Sequence, residues 1–261
     1  MSRLEGKIAL VTGGGRGIGR TTALALAREG CDVVVVARTY AEIEQVAAEI
    51  RVQGRRGLAF ACDIADGQAI ARTFASLVEE TDPVDILINN AGVVEPLGPT
   101  ATADPELWSQ ALQVNLIGAF RWIHACLPEM LRRGWGRIVN ISTGAAAGAG
   151  MLNASAYSTS KAGLEMLTLN LAAELAGSGI TVNAVRPGTV DTAMQTHIRS
   201  QPAERVGRQM HERFTGLHEQ GMLLDPVQPA RLITALVLGK SSGEVVSIYD
   251  QRGQELLESQ P

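Results

Sequence analysis

The sequence predicts an α/β fold, a doubly wound sheet of about seven parallel strands with helices on both faces. Three observations carry this. Short β-branched runs alternate with longer stretches of helical period along the whole chain. The strand runs are apolar throughout, as in Val33-Val34-Val35-Val36, whereas a sheet wet on one face would alternate. The first run also leads directly into a glycine-rich turn that opens a helix.

Taken in order, Lys7–Thr12 reads as the first strand, followed by the glycine turn and a helix to about Glu29. Asp32–Ala37 is the second strand, and Tyr40–Gln53 a helix with Ile43, Val46, Ala47 and Ile50 at helical spacing. Gly57–Ala61, the helix Gln68–Glu80 and the strand Val84–Ile88 follow. Asp104–Arg132 reads as a long helix, with Asp104 suited to the N-cap and Pro105 to the first helical position. Arg137–Ile141 is the fifth strand, Ser155–Ala176 a helix and Ile180–Val185 the sixth strand. A helix at Gln228–Leu238 and a strand at Glu244–Tyr249 complete the pattern, leaving a polar tail. No repeat or linker interrupts it, so residues 1–261 are expected to form one catalytic domain. The long connection at about 190–225 is expected to be a substrate loop or lid; it holds Met194, His197, Met210, Phe214, Met222 and Leu223.

Composition narrows the function. Hydrophobic residues make up 46% and charged residues 19% of the chain, a balance that supports a packed core. The formal charge of -4, without a basic patch, argues against a nucleic-acid partner. No apolar run approaches the roughly 20 residues of a membrane span, and the start lacks a signal-peptide pattern, so a cytoplasmic protein without a membrane partner is expected. Cys31, Cys62 and Cys126 are far apart, which predicts reduced thiols and no metal site.

The glycine turn reads Thr12-Gly13-Gly14-Gly15-Arg16-Gly17-Ile18-Gly19, a TGxxxGxG spacing. Such a strand–turn–helix lets backbone approach a pyrophosphate and presents it to the N–H groups of a helix start. The second strand ends in Ala37-Arg38, with no acid there to hold the ribose 2′-hydroxyl of NAD. Arg38 and Arg16 could clamp a 2′-phosphate, which favours NADPH/NADP+ over NADH. Tyr157 and Lys161 are four apart on a predicted helix and so face one way. A neighbouring ammonium would lower the phenol's pKa and fit it for proton transfer to or from a carbonyl oxygen.

With these residues in view the chain resembles the short-chain dehydrogenase/reductase family over nearly its whole length. The resemblance consists of TGxxxGxG at Thr12–Gly19, Asp63, Asn89-Asn90-Ala91-Gly92, Asn115, a hydroxyl pair after the fifth strand, Tyr157-x-x-x-Lys161 and Arg186-Pro187-Gly188. It implies a Rossmann-type fold and a cofactor site built from Gly13, Gly15, Arg16, Gly17, Ile18, Gly19 and Arg38. Asp63 and Ile64 would flank the adenine, and Asn89, Ala91 and Gly92 the ribose. Pro187, Gly188, Val190 and Thr192 would hold the nicotinamide, and Lys161 its ribose. Tyr157 would be the general acid/base, with Asn115 holding a water that connects Lys161 to solvent. The substrate-binding hydroxyl is Ser142 by residue type and Thr143 by counting from the strand; both stay open here. Three residues between Tyr and Lys argue against the enoyl-reducing branch, and the chain length against the epimerase branch.

The reading that follows is a ketone reductase acting on a small-molecule carbonyl/alcohol substrate and self-associating as a dimer or tetramer. The alternatives are an alcohol dehydrogenase running oxidatively and a non-catalytic NADP(H)-sensing protein, the latter disfavoured by the presence of Asn115, Tyr157 and Lys161. Relatives close with a Val-Asp-Gly-Gly-like turn; here Tyr249-Asp250 runs into Gln251-Arg252-Gly253, a departure that bears on the tetramer.

Overall fold

Alternate residues of each central strand bury against opposite layers. In the computed structural model, which describes residues 3–148 and 150–259, the strands are β1 (Ile8–Thr12), β2 (Asp32–Ala37), β3 (Gly57–Ala61), β4 (Ile86–Asn89), β5 (Gly136–Ile141), β6 (Ile180–Arg186) and β7 (Val245–Ser247). They form one parallel sheet in the order β3-β2-β1-β4-β5-β6-β7. The helices are α1 (Gly17–Arg28), α2 (Tyr40–Val52), α3 (Gly67–Glu80), α4 (Pro105–Leu112), α5 (Gly118–Arg133), α6 (Ser155–Glu174), α7 (Ala193–Ser200), α8 (Ala203–Val206), α9 (Arg208–Glu219), α10 (Val227–Leu238) and α11 (Gln251–Glu258). Ala9, Val11, Val33 and Val35 pack with α1, α2 and α10, while Ile8, Leu10, Val34 and Val36 pack with α3, α5 and α6. Burial on both faces explains why these strands carry no polar alternation. Right-handed crossovers on each side of β1 then place the ligand crevice at the carboxyl ends of the strands.

Several expectations change in detail. The long helix carries a π-helical turn, Gln113–Ile117, between α4 and α5. Such turns insert one extra residue per turn and often serve a site. The last strand is shorter than Glu244–Tyr249. The tail beyond it is not merely polar but folds as α11, where Asp250 caps by accepting from Gly253 N at 2.7 Å. Leu256 and Leu257 lay this helix against the core beside α10, and a Cβ on Gly253 would come 2.0 Å from Ser247 O. A helical stripe of two leucines is too short to stand out from sequence alone. The 190–225 connection resolves into α7, α8 and α9, covering the carboxyl end of the sheet. Among the described residues no helix is long and apolar enough to cross a membrane.

Candidate active site

A cleft of about 850 Å³ runs along the carboxyl ends of the strands. Its floor is the turn between β1 and α1. Gly13 has φ +63°, and a Cβ there would stand 2.9 Å from Ala91 Cα and from Asn90 Nδ2. Asn90 locks this approach: its Nδ2 donates to Thr12 O at 3.0 Å and Gly13 O at 3.1 Å. Thr12 Oγ1 accepts from Asn90 N and Ala91 N. The turns after β1 and β4 thus form one rigid cradle, and the N-cap residue Arg16 makes no side-chain cap at the start of α1. Uncapped N–H groups at the head of a 12-residue helix suit a pyrophosphate. The residues present therefore fit a dinucleotide.

Most of the residues singled out from sequence come to this cleft. Gly13, Gly15, Arg16, Gly17 and Ile18 line one end with Arg38, Asp63 and Ile64. Ala91, Gly92, Ser142, Thr143, Tyr157 and Lys161 line the middle, with Pro187, Gly188, Val190 and Thr192 above. Three residues stand elsewhere. Gly19 sits behind the turn, where a Cβ would come 2.3 Å from Gly13 O, so its role is close packing. Asn89 is 3% exposed and donates to Asn140 Oδ1 at 2.9 Å; strand parity turns it into the α5 and α6 layer, and Asn90 takes its place at the cleft. Asn115 lies behind Gly92 in the π-helical turn. Its Oδ1 accepts from Val93 N at 2.8 Å, and its Nδ2 donates to Val93 O and Ser160 Oγ. That amide pins the chain beside Gly92, where a Cβ would meet both Asn115 Oδ1 at 3.2 Å and Lys161 Nζ at 3.4 Å. Of the 190–225 apolar residues, Met194, Met210 and Phe214 line the cleft, whereas Met222 is 59% exposed.

The structure separates the two hydroxyls after β5. Ser142 is buried, and its Oγ donates to Glu165 Oε1 at 2.6 Å. Thr143 instead places its hydroxyl beside the Tyr157 phenol, where it acts to lower the phenol's pKa. Lys161 Nζ, 3% exposed, donates to Ile141 O at 2.6 Å, and burial brings its pKa down from 10.5 to about 8. Tyr157 departs from the direction that charge alone suggests. Burial pushes its phenol up, and the Thr143 hydroxyl draws it only partly back. At neutral pH the phenol is therefore protonated.

The family model described as short chain dehydrogenase matches residues 7–203 of this chain. The chain belongs to the short-chain dehydrogenase family. It is 43% identical over 201 residues to the short-chain reductase protein NovJ of Streptomyces niveus, covering 77% of this chain and 74% of that one. It is 37% identical over 193 residues to the 3-oxoacyl-acyl-carrier-protein reductase FabG of Pseudomonas aeruginosa, covering 73% and 76%. Among solved structures, a variant of actinorhodin polyketide ketoreductase crystallised with NADPH superposes with a TM-score of 0.84 at 35% identity. That match covers 93% of this chain and 95% of the ketoreductase. An NAD+-bound xylitol dehydrogenase also gives 0.84, at 28% identity and 94% and 98% coverage. The dehydrogenase is thus an oxidoreductase that binds a nicotinamide dinucleotide, with ketoreductases among its relatives.

Glu42 and Tyr249 are among the cleft residues that escaped the sequence. Glu42, in the first turn of α2, has Oε1 3.9 Å from Arg16 Nη1 and so lines the glycine-turn end of the cleft. Tyr249 reaches back from beyond β7, and its hydroxyl accepts from Thr189 N at 3.3 Å. Neither lies in a motif; their places depend on how α2 and the C-terminal strand pack. The two hydroxyls also differ in expected effect. Thr143→Val should lower turnover by about 100-fold, the scale of one lost transition-state donor, whereas Ser142→Ala should stay within about threefold. Steady-state rates of the two variants check this; the reverse order would return the role to Ser142.

Proposed function

We propose that this dehydrogenase reduces a ketone to an alcohol with NADPH, Tyr157 delivering the proton. The observation that carries this reading is the meeting of a protonated Tyr157 phenol, the Thr143 hydroxyl and Lys161 in the cleft that the glycine turn opens. Bound NADPH would supply the hydride. Thr143 and Tyr157 would donate hydrogen bonds to the ketone oxygen, and Tyr157 would pass its proton as negative charge develops there. Burial keeps that proton on the phenol until the oxygen calls for it. Lys161 would hold the nicotinamide ribose and bring positive charge beside the phenol. Asn115 would act through Val93 and Gly92, keeping Lys161 in register. Met151, Met194, Met210 and Phe214 would bind an extended apolar portion of the substrate. The oxidative direction would use the same groups, and the cellular ratio of reduced to oxidised cofactor would set which way the reaction runs.

NADPH is preferred on two grounds: Ala37 brings no acid to the ribose, and exposed Arg38 and Arg16 line that end of the cleft. Arg38→Ala should raise the KM for NADPH about tenfold and leave that for NADH within about twofold, as expected for one lost charge-assisted hydrogen bond of about 1.5 kcal/mol. Equal changes would remove the assignment. The reaction itself is tested by NADPH oxidation over acetoacetyl thioesters, β-keto esters, cyclic ketones and quinones; tight NADPH binding with no turnover on any of them would favour the sensing role. Self-association is also proposed, because Leu107, Phe120, Met166 and Leu169 are exposed on α4, α5 and α6.

A further inference from the structure

Glu165 lies four residues beyond Lys161 and eight beyond Tyr157 on α6, so the three share one face of that helix. It is 8% exposed. Its carboxylate accepts from Ser142 Oγ at 2.6 Å, from Arg186 Nε at 2.8 Å and from Arg186 Nη2 at 2.6 Å. The chain connections give this cluster its meaning. Ser142 leaves β5 immediately before Thr143, and Arg186 ends β6 immediately before Pro187 and Gly188. One carboxylate therefore ties together the helix of the phenol and ammonium, the turn of the second hydroxyl, and the turn at the nicotinamide end of the cleft.

Glu165 is buried and Arg186 half-buried, and an ion pair drawn out of water in this way is a poor source of stability, since apolar groups of similar shape often serve as well or better. Its geometry, by contrast, is stiff: a bidentate guanidinium–carboxylate pair fixes both distance and plane. Hydride and proton transfer need that stiffness, because a misplacement of about 1 Å can lower a rate about 100-fold. The same bonds explain Ser142. A hydroxyl whose proton is committed to a carboxylate has none left for a substrate oxygen.

We propose that Glu165 is a positioning residue for hydride and proton transfer, setting through Ser142 and Arg186 the spacing between the Tyr157–Thr143 pair and the Pro187–Gly188 turn. The proposal rests on the reading that Tyr157 and Thr143 serve the chemistry in this cleft. Glu165 itself would touch neither substrate nor dinucleotide.

The test compares Glu165→Gln, Glu165→Leu and the double variant Glu165→Leu/Arg186→Leu with the parent, using acetoacetyl-coenzyme A and NADPH. Melting temperature and NADPH fluorescence without ketone are read alongside turnover. Glu165→Leu alone leaves the half-buried Arg186 guanidinium without its partner and is expected to melt lower. The double variant removes both charges and should melt within a few degrees of the parent. Its kcat should nevertheless fall at least about tenfold, with NADPH affinity and ketone KM changed less than about threefold, and Glu165→Gln should fall between it and the parent. A double variant with parental kcat, or a loss confined to KM, overturns the proposal. If the double variant does not fold, Glu165→Gln decides: a severalfold loss of kcat at unchanged melting supports the role, and parental kcat overturns it. Tyr157→Phe assayed in parallel separates the two layers. Parental turnover there removes the catalytic reading and this proposal with it. An inactive Tyr157→Phe beside a fully active double variant removes only the role of Glu165.

Discussion

Tyr157→Phe should lower ketone turnover by about 100- to 10,000-fold, the range ascribed to one positioned proton donor. The substitution removes a single oxygen from a half-buried ring, so the fold should survive intact. The phenol faces Thr143, whose hydroxyl has a second neighbour in Ala145 N at 3.2 Å and so stays in place without it. NADPH binding, proposed to rest on the glycine turn and the arginines at the other end of the cleft, should change by less than about threefold. The pH profile sharpens the test. The raised phenol keeps its proton across the neutral range, so reduction by the parent should hold steady there and fall only on the alkaline side. Steady-state kinetics with NADPH over a pH series checks both parts. A Phe variant reducing ketones at the parental rate would remove Tyr157 from the chemistry.

Lys161→Met should abolish most turnover and at the same time stabilise the protein. Lys161 is buried with its Nζ on Ile141 O, and its pKa falls from 10.5 to about 8. At about 1.36 kcal/mol per unit, holding the ammonium in the fold costs about 3 kcal/mol. Methionine has a similar length without the charge, but leaves Ile141 O without its donor, a loss of about 1 kcal/mol or more. The net expectation is a rise of about 2–6 °C in melting temperature at pH 7. The sign of the pH dependence follows. Below pH 8 the lysine is charged in both folded and unfolded chains, and the cost is fully present. Between about 8 and 10.5 the unfolded chain binds more proton than the folded one, so the parent gains stability as pH rises. The gap between variant and parent should therefore close across that window. Thermal melts at pH 7 and pH 10 check it; a gap that does not narrow would mean that burial is not what holds this amine down.

The backbone plan was legible because parallel sheets write themselves plainly. Runs such as Asp32–Ala37 and Gly57–Ala61 are short, β-branched or apolar, and bounded by turns, and both strands fall where expected. The glycine turn was equally readable, since Gly13 and Gly17 occupy positive φ and Gly19 a contact that allows no Cβ. Less legible were features set by a single step of strand phase. Asn89 and Asn90 are neighbours of identical type, yet one is swallowed by the α5 and α6 layer and the other holds the cradle. The same step divides Ser142 from Thr143. Helix α11 was hidden because two leucines carry too little period to announce it.

The order of strands and helices, the phosphate-binding turn and the pairing of Tyr157 with Lys161 could all be read from the amino-acid order, because each is a local matter of spacing and backbone sterics. Packing was needed to show which hydroxyl faces the phenol, that the phenol is raised rather than lowered, and that Glu165 gathers Ser142 and Arg186. Those outcomes depend on burial and on contacts between residues distant along the chain: desolvation acts on a group only once three separate elements have closed around it.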